Sequence, residues 1–229
     1  MATIYLIRHG QASFGQENYD QLSPIGWEQG RILGRWLAGK VTPGAVVGGG
    51  LERHRETAEA VATGYGSALP DMQVLAGLNE FDHTEVLTRF RPEWAERAVM
   101  ARDLAAFPKP AKAFQDAFVQ AVARWAGGQH DHDYGEAWPA FKARVLVALD
   151  ELVEFADGTD VLVATSGGPI SVIVQSLLGL DDERALKLNE VIANTSVSRV
   201  LYSGSRRSLS VFNNFAHLEA EDPALVTFR

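Results

Sequence analysis

The sequence predicts an α/β protein, a three-layer α/β/α sandwich with a mostly parallel central sheet, an antiparallel edge and a helical insertion over the ligand-binding end of the sheet. Three observations predict it. Thr3-Ile4-Tyr5-Leu6-Ile7 and Val161-Leu162-Val163-Ala164 are short β-branched and apolar runs, the pattern of strands buried on both faces. Stretches of helical period separate the strand segments, so right-handed crossovers should join parallel neighbours. Near the carboxyl end, Val197 to Tyr202 and Leu209 to Phe212 alternate and are joined by Gly204-Ser205-Arg206-Arg207, which reads as an edge hairpin with an exposed turn.

The elements follow in order. The opening strand stops at Arg8-His9-Gly10, and Gln11 to Gln21 is a polar loop containing Gly15 and Asn18. Ser23 can cap the next helix and Pro24 takes its first turn, where a missing N–H costs nothing. Ile25, Ile32, Leu33, Trp36 and Leu37 supply its apolar stripe, and Gly39 and Pro43 close it. Ala45-Val46-Val47 is a second strand running into Gly48-Gly49-Gly50, followed by a helix from Glu52 through Tyr65. Gln73-Val74-Leu75 is a third strand leading into Leu78-Asn79-Glu80-Phe81-Asp82-His83. From about 84 to 128 the strand signal vanishes, and helices broken at Arg91-Pro92 and near Pro108 and Pro110 are read as an insertion in a single domain spanning 1–229. Glu136 to Ala156 is the longest helical pattern, and Thr165-Ser166-Gly167-Gly168-Pro169 starts a further helix that runs through Leu178.

Composition excludes several classes. The chain has 229 residues, 46% hydrophobic and 22% charged, enough for one domain with a real core. With 21 Lys+Arg against 29 Asp+Glu, the net charge of -8 would repel a nucleic-acid backbone. Having 0 cysteines, it has no disulfide framework, thiolate metal site or cysteine nucleophile. No apolar run approaches the ~18 residues of a membrane span, and the amino terminus enters a strand without a basic leader, so no membrane partner and a cytoplasmic location are expected. Alternating apolar residues in the edge hairpin leave a homodimer open.

The chemistry gathers at strand ends, the edge where open α/β sheets bind ligands. The first strand offers Arg8 and His9, the second leads to Arg53, the third to Glu80, and the fourth to Ser166 and Gly167 at a helix start. If these strands are neighbours, the inventory suits phosphoryl transfer through nitrogen. An imidazole attacks phosphorus, guanidiniums neutralise the equatorial oxygens, and a carboxylic acid protonates the leaving alkoxide. Arg8 and His9 taken alone read equally well as a polar strand end facing water.

Leu6-Ile7-Arg8-His9-Gly10, Leu22-Ser23-Pro24-Ile25-Gly26 with Gln29-Gly30, Leu51-Glu52-Arg53 with Thr57-Ala58, and Leu78-Asn79-Glu80 resemble, in order, the motifs of the histidine phosphatase superfamily, also called the phosphoglycerate mutase-like family. The resemblance implies the phosphoglycerate mutase-like fold, with His9 as the phosphorylated nucleophile, Arg8 and Arg53 as phosphate ligands, Glu80 as proton donor, and neither metal nor other cofactor. In that family a second histidine precedes the Gly-Gly after the fourth strand; here Ser166 stands in its place. A charge-assisted hydrogen bond contributes ~1.5–3 kcal/mol against ~1 for a neutral one, so reduced catalysis is expected. Ser166 also reads as a plain helix cap, or as a pocket donor sharing the anion with the amides of Gly167 and Gly168. Gly15 stands near the place of a family asparagine, and Ser13 is the candidate substitute hydroxyl.

The remaining histidines carry weaker readings. His83 can supply a proton or an oxygen contact, or be a solvated loop residue. His54 should point about 100° away from Arg53 on its helix and is read as structural, as is His217. The run His130-Asp131-His132-Asp133 lacks the rigid spacing of a zinc site and is read as a solvated loop. The expected function is hydrolysis of a small phosphomonoester; mutase-type transfer and a non-catalytic binder of phosphorylated ligands remain the alternatives.

Overall fold

The computed structural model describes residues 2–13 and 20–228. Gly15 and Asn18 lie outside the described residues. Two compact units make up the chain, Met1–Glu80 with Arg144–Arg229, and Phe81–Ala143.

The first unit is built on a six-stranded sheet of order β3-β2-β4-β1-β5-β6. Its strands are β1 (Ala2–Arg8), β2 (Ala45–Gly48), β3 (Met72–Val74), β4 (Val161–Thr165), β5 (Val197–Ser203) and β6 (Arg206–Asn214). β3, β2, β4 and β1 run parallel, while β5 pairs antiparallel with both β1 and β6. The predicted mostly parallel sheet with an antiparallel edge is therefore present. Tyr5, Ile7, Val46 and Leu162 pack with Leu33, Leu37 and Val61. Ile4, Leu6, Val47, Val161 and Val163, of opposite parity, are also buried, so both faces are covered. Each buried leucine of this core contributes roughly 1.5–3 kcal/mol.

Two helices follow the first two strands, α1 (Pro24–Leu37) and α2 (Glu52–Tyr65). Ser23 caps α1 by accepting from the Gly26 N–H at 3.1 Å, and Pro24 occupies the first turn as expected. α1 and α2 approach closely because Gly34 lacks a Cβ, which would strike the Val61 carbonyl. Ile25, expected in the stripe, is exposed, whereas Ile32, Leu33 and Leu37 are buried. The hairpin turn is Gly204-Ser205, two residues shorter than expected, so Arg206 and Arg207 belong to β6. Arg207 is ion-paired with Asp150 at 2.6 Å instead of lying in an exposed turn.

The second unit contains α3 (His83–Phe90), α4 (Arg97–Ala105) and α5 (Pro110–Ala126), with breaks at the predicted prolines. α6 (Trp138–Ala156) begins in it. Phe81, Trp125, Trp138 and Phe141 form its aromatic core, with Phe81 and Trp125 centroids 4.7 Å apart. The insertion expected over 84–128 compares with a unit that reaches from Phe81 to Ala143. Asp133 is not a freely solvated loop residue: Arg124 pairs with it and donates to the Tyr134 hydroxyl at 2.6 Å. That guanidinium holds the Asp133 carboxyl below its ordinary range. The first unit resumes and ends with α7 (Gly167–Leu178), α8 (Asp182–Val191) and α9 (Ala216–Glu221). Among the described residues no helix is long and apolar enough to cross a membrane.

Candidate active site

Strand register brings the chemistry together. β4 lies between β1 and β2, with Arg8 level with Thr165 and Gly48 level with Ala164, so three strands end at one sheet edge. The His9 N–H donates to the Thr165 carbonyl at 2.8 Å, and Asn194 Nδ2 donates to the His9 carbonyl at 3.0 Å. The backbone of His9 is thus held from both sides.

Its side chain is held as firmly. His9 Nδ1 lies 2.7 Å from the Gly10 carbonyl oxygen. A carbonyl only accepts, so Nδ1 carries the proton and the lone pair of the neutral ring sits on Nε2. Burial first, then the charges of Arg53 and Arg8 and the neighbouring His54, holds this imidazole well below the usual histidine range. At neutral pH it is an uncharged imidazole whose Nε2 lone pair is chemically able to attack an electrophile, beside two guanidiniums.

Arg53 is 6% exposed on the first turn of α2. Its Nη1 donates to Asp20 Oδ1 at 2.6 Å, while Asp20 Oδ2 accepts from the Glu52 N–H at 2.8 Å, fixing both the guanidinium and the helix start. Arg53 Nε is buried and makes no hydrogen bond among the described residues. Thr57, one turn on, donates to the Arg53 carbonyl at 2.6 Å and accepts from the Gly10 N–H at 3.0 Å, tying the arginine's helix to the residue after His9. Arg8 is anchored on the carbonyl of Ile192 and lies beside Gly167.

Glu80 reaches the same edge from β3. The Gly168 N–H at the start of α7 donates to Glu80 Oε2 at 3.1 Å. The loop behind the carboxyl is pinned by Thr165, whose hydroxyl donates to the Leu78 carbonyl at 2.7 Å, and by Arg144, which donates to the Gly77 carbonyl at 2.9 Å and that of Asn79 at 3.1 Å. His9, Arg8, Arg53, Glu80, Ser166 and Gly167 therefore share one end of the sheet.

Two readings change. Ser166 occupies the N-cap position of α7, yet its side chain makes no cap hydrogen bond. Its hydroxyl instead lies 2.7 Å from His54 Nε2. His54, read from the helix period as a structural residue turned from Arg53, is turned toward the end of β4, with its ring 6.0 Å from that of His9. A Cβ at Gly49 would collide with its Nδ1, so glycine leaves room for the ring. Burial and the Arg53 charge lower this imidazole to about 3. The signal that could have found it was the appearance of histidine beside the arginine in a chain that has serine at the end of β4.

The other candidates lie elsewhere. Ser13 is half-buried and its N–H donates to the Gln21 carbonyl at 2.8 Å. Gly15 is outside the described residues. His83 opens α3 in the second unit, a helix capped by Asp82 through the Thr84 and Glu85 N–H groups at 2.9 Å. His217 is buried near Trp36, with Nε2 3.3 Å from the Thr195 hydroxyl, the packing position expected of it. Among the described residues no three His, Cys, Asp or Glu side chains cluster to hold a metal.

Comparison with known proteins shows the family and the fold. A probable phosphoglycerate mutase, GpmB, of Citrobacter koseri is 26% identical over 220 residues, covering 90% of this chain and 87% of the relative. The crystal structure of phosphoglycerate mutase from Bacillus anthracis superposes with a TM-score of 0.68 at 18% identity, covering 95% of each chain. A mycobacterial glucosyl-3-phosphoglycerate phosphatase, solved with VO3, gives a TM-score of 0.59 at 22% identity, covering 93% of this chain and 99% of that one. These two structures share the fold. The family model of the histidine phosphatase superfamily (branch 1) matches residues 4–215, from within β1 to beyond β6, and the chain belongs to that superfamily.

Proposed function

We propose that the protein is a phosphomonoester hydrolase that works through a phosphohistidine on His9. The observation that carries this reading is the bond from His9 Nδ1 to the Gly10 carbonyl, which leaves the lone pair of a buried, neutral ring on Nε2, under the charges of Arg53 and Arg8. Nε2 attacks phosphorus as the bond to the departing alkoxide breaks, and Glu80 gives that oxygen a proton. Water then attacks the phosphohistidine while the Glu80 carboxylate takes its proton, releasing inorganic phosphate and restoring the imidazole. Arg8 and Arg53, with the amide of Gly167, neutralise charge on the equatorial oxygens; the hydroxyls of Ser166 and Ser13 are the supplementary donors.

Ser166 stands where the family's second histidine would, so turnover should be slower than that of a chain with the charged donor. The net charge of -8 favours a small phosphorylated metabolite over a polyanion. Phosphoglycerate mutase-type transfer is the second reading, favoured by the Citrobacter koseri relative. Release of nitrophenol and inorganic phosphate from p-nitrophenyl phosphate, compared between the parent chain and His9→Ala, tests the proposal. His9-dependent release of both products supports hydrolysis. Return of the phosphoryl group to an added phosphoglycerate with no net phosphate release supports the mutase, and tight phosphate binding without turnover supports a binder.

A further inference from the structure

His54 and Ser166 form one buried unit beside the nucleophile. Both are 0% exposed, and each takes the other as hydrogen-bond partner at 2.7 Å across 112 residues of sequence. A serine at a helix N-cap ordinarily gives its oxygen to the helix amides; Ser166 does not. Its hydroxyl is oriented by an imidazole from another element, and that imidazole is 6.0 Å from the His9 ring.

The proton arrangement has a physical preference. Among the described residues His54 Nδ1 makes no hydrogen bond of ordinary geometry; the Gly49 backbone favours a proton on the ring, but it is the smallest of the influences there. Buried N–H groups without an acceptor are rarer than acceptors without a donor. The neutral tautomer with its proton on Nε2 therefore fits the site better. In it Nε2–H donates to Ser166 Oγ, and the serine proton is free to point elsewhere.

Resting on the phosphoryl-transfer reading, we propose that His54 is a positioning residue: its Nε2–H fixes Ser166 Oγ so that the serine hydroxyl donates to the phosphoryl group in transit to His9. An imidazole carried by α2 thus acts through a hydroxyl at the end of β4, where the resembling family carries a histidine directly. The motif around Arg53 leaves position 54 unspecified, so this chain can hold the second imidazole there without disturbing Arg53 or Thr57. Gly49 gives the ring its space.

The test is a set of full-length variants assayed with p-nitrophenyl phosphate, with inorganic phosphate as competitive inhibitor. His54→Leu fills the space without a donor; His54→Gln keeps an N–H at the place of Nε2. The expected result is a fall in kcat of about 10²-fold for His54→Leu and for Ser166→Ala, the scale of one lost oxyanion donor. The double variant should fall no further than either single one, because the two act as a unit. His54→Gln should stay within about tenfold of the parent. Parent-like kcat in His54→Leu, additive losses in the double variant, or equal losses in the Leu and Gln variants would each overturn the proposal. If leucine at 54 unfolds the chain, Ser166→Ala decides alone, and an unchanged kcat overturns it. His9→Ala separates the two levels: turnover that persists in it removes the phosphohistidine reading, whereas its loss alongside parent-like His54→Leu removes only the role of His54.

Discussion

His9 Nδ1 and the Gly10 carbonyl oxygen, 2.7 Å apart, set the chemistry of the sheet edge by deciding which ring nitrogen is free. The residue after His9 thus acts as its tautomer lock, and Thr57 holds that residue by accepting from its N–H at 3.0 Å.

The first prediction concerns protonation. Burial, with Arg53 and Arg8 nearby, keeps the His9 imidazole neutral well below the ordinary 6.5. Nitrogen-15 NMR of the histidine side chains should find His9 with its proton on Nδ1 from pH 7.5 down to pH 5.5. A His9 signal that titrates near 6.5, or carries its proton on Nε2, would contradict the assignment.

The second concerns Thr57. Thr57→Val keeps the shape but leaves the Gly10 N–H, in a buried setting, without its acceptor. It should cost about 1–3 kcal/mol of stability in urea denaturation and lower kcat as the loop after His9 loosens. A stability within about 0.5 kcal/mol of the parent, the range of substitutions that break no such feature, would mean that the bond does not matter.

The third concerns acid stability. Burial lowers His217 from 6.5 to about 4. Between those values the unfolded chain binds a proton that the folded chain does not, so the contribution is fully present above 6.5 and is lost as pH falls toward 4. The slope is at most about 1.4 kcal/mol per pH unit for the group. Urea midpoints at pH 7, 6 and 5 should therefore fall more steeply for the parent than for His217→Gln. Parallel curves would show that His217 accepts its proton when folded.

Much of this was legible in the sequence because it was local. Ser23-Pro24 marked the start of α1, and the two apolar runs marked β1 and β4. The short α8 and α9 were not read because six to ten residues of mixed polarity carry little periodicity. At the site, Arg8, His9, Arg53 and Ser166 could be named because each lies at the end of a strand or the start of a helix, and Glu80 because it lies in the loop that follows β3. His54 was missed for a physical reason. The helix period says only how far it is turned from Arg53, whereas what it turns toward depends on β2 and β4 pairing, and its contact with Ser166 spans 112 residues. The Asp20–Arg53 pair likewise depends on the path of a loop.

The fourth prediction uses that missed contact. Ser166→His alone would force a second ring into space that His54 already borders, an overpacking that costs about 1–3 kcal/mol. It should therefore destabilise the chain without raising kcat. Combined with His54→Ala, the same substitution should raise kcat by at least about tenfold over His54→Ala alone. A rate gain in Ser166→His that is lost on adding His54→Ala would contradict the shared space.

The central claim is that phosphorus becomes bonded to one nitrogen. The measurement is rapid quenching under alkaline conditions after mixing with p-nitrophenyl phosphate, whose nitrophenolate departs without a proton from Glu80, followed by peptide mass spectrometry for acid-labile phosphohistidine, in the parent and in a Glu80→Gln variant, which with this substrate slows chiefly the second step. The account predicts a phosphoryl group on His9, enriched in Glu80→Gln and absent from His9→Ala together with turnover. Turnover that continues in His9→Ala, or a phosphoryl group carried by another residue, would contradict it.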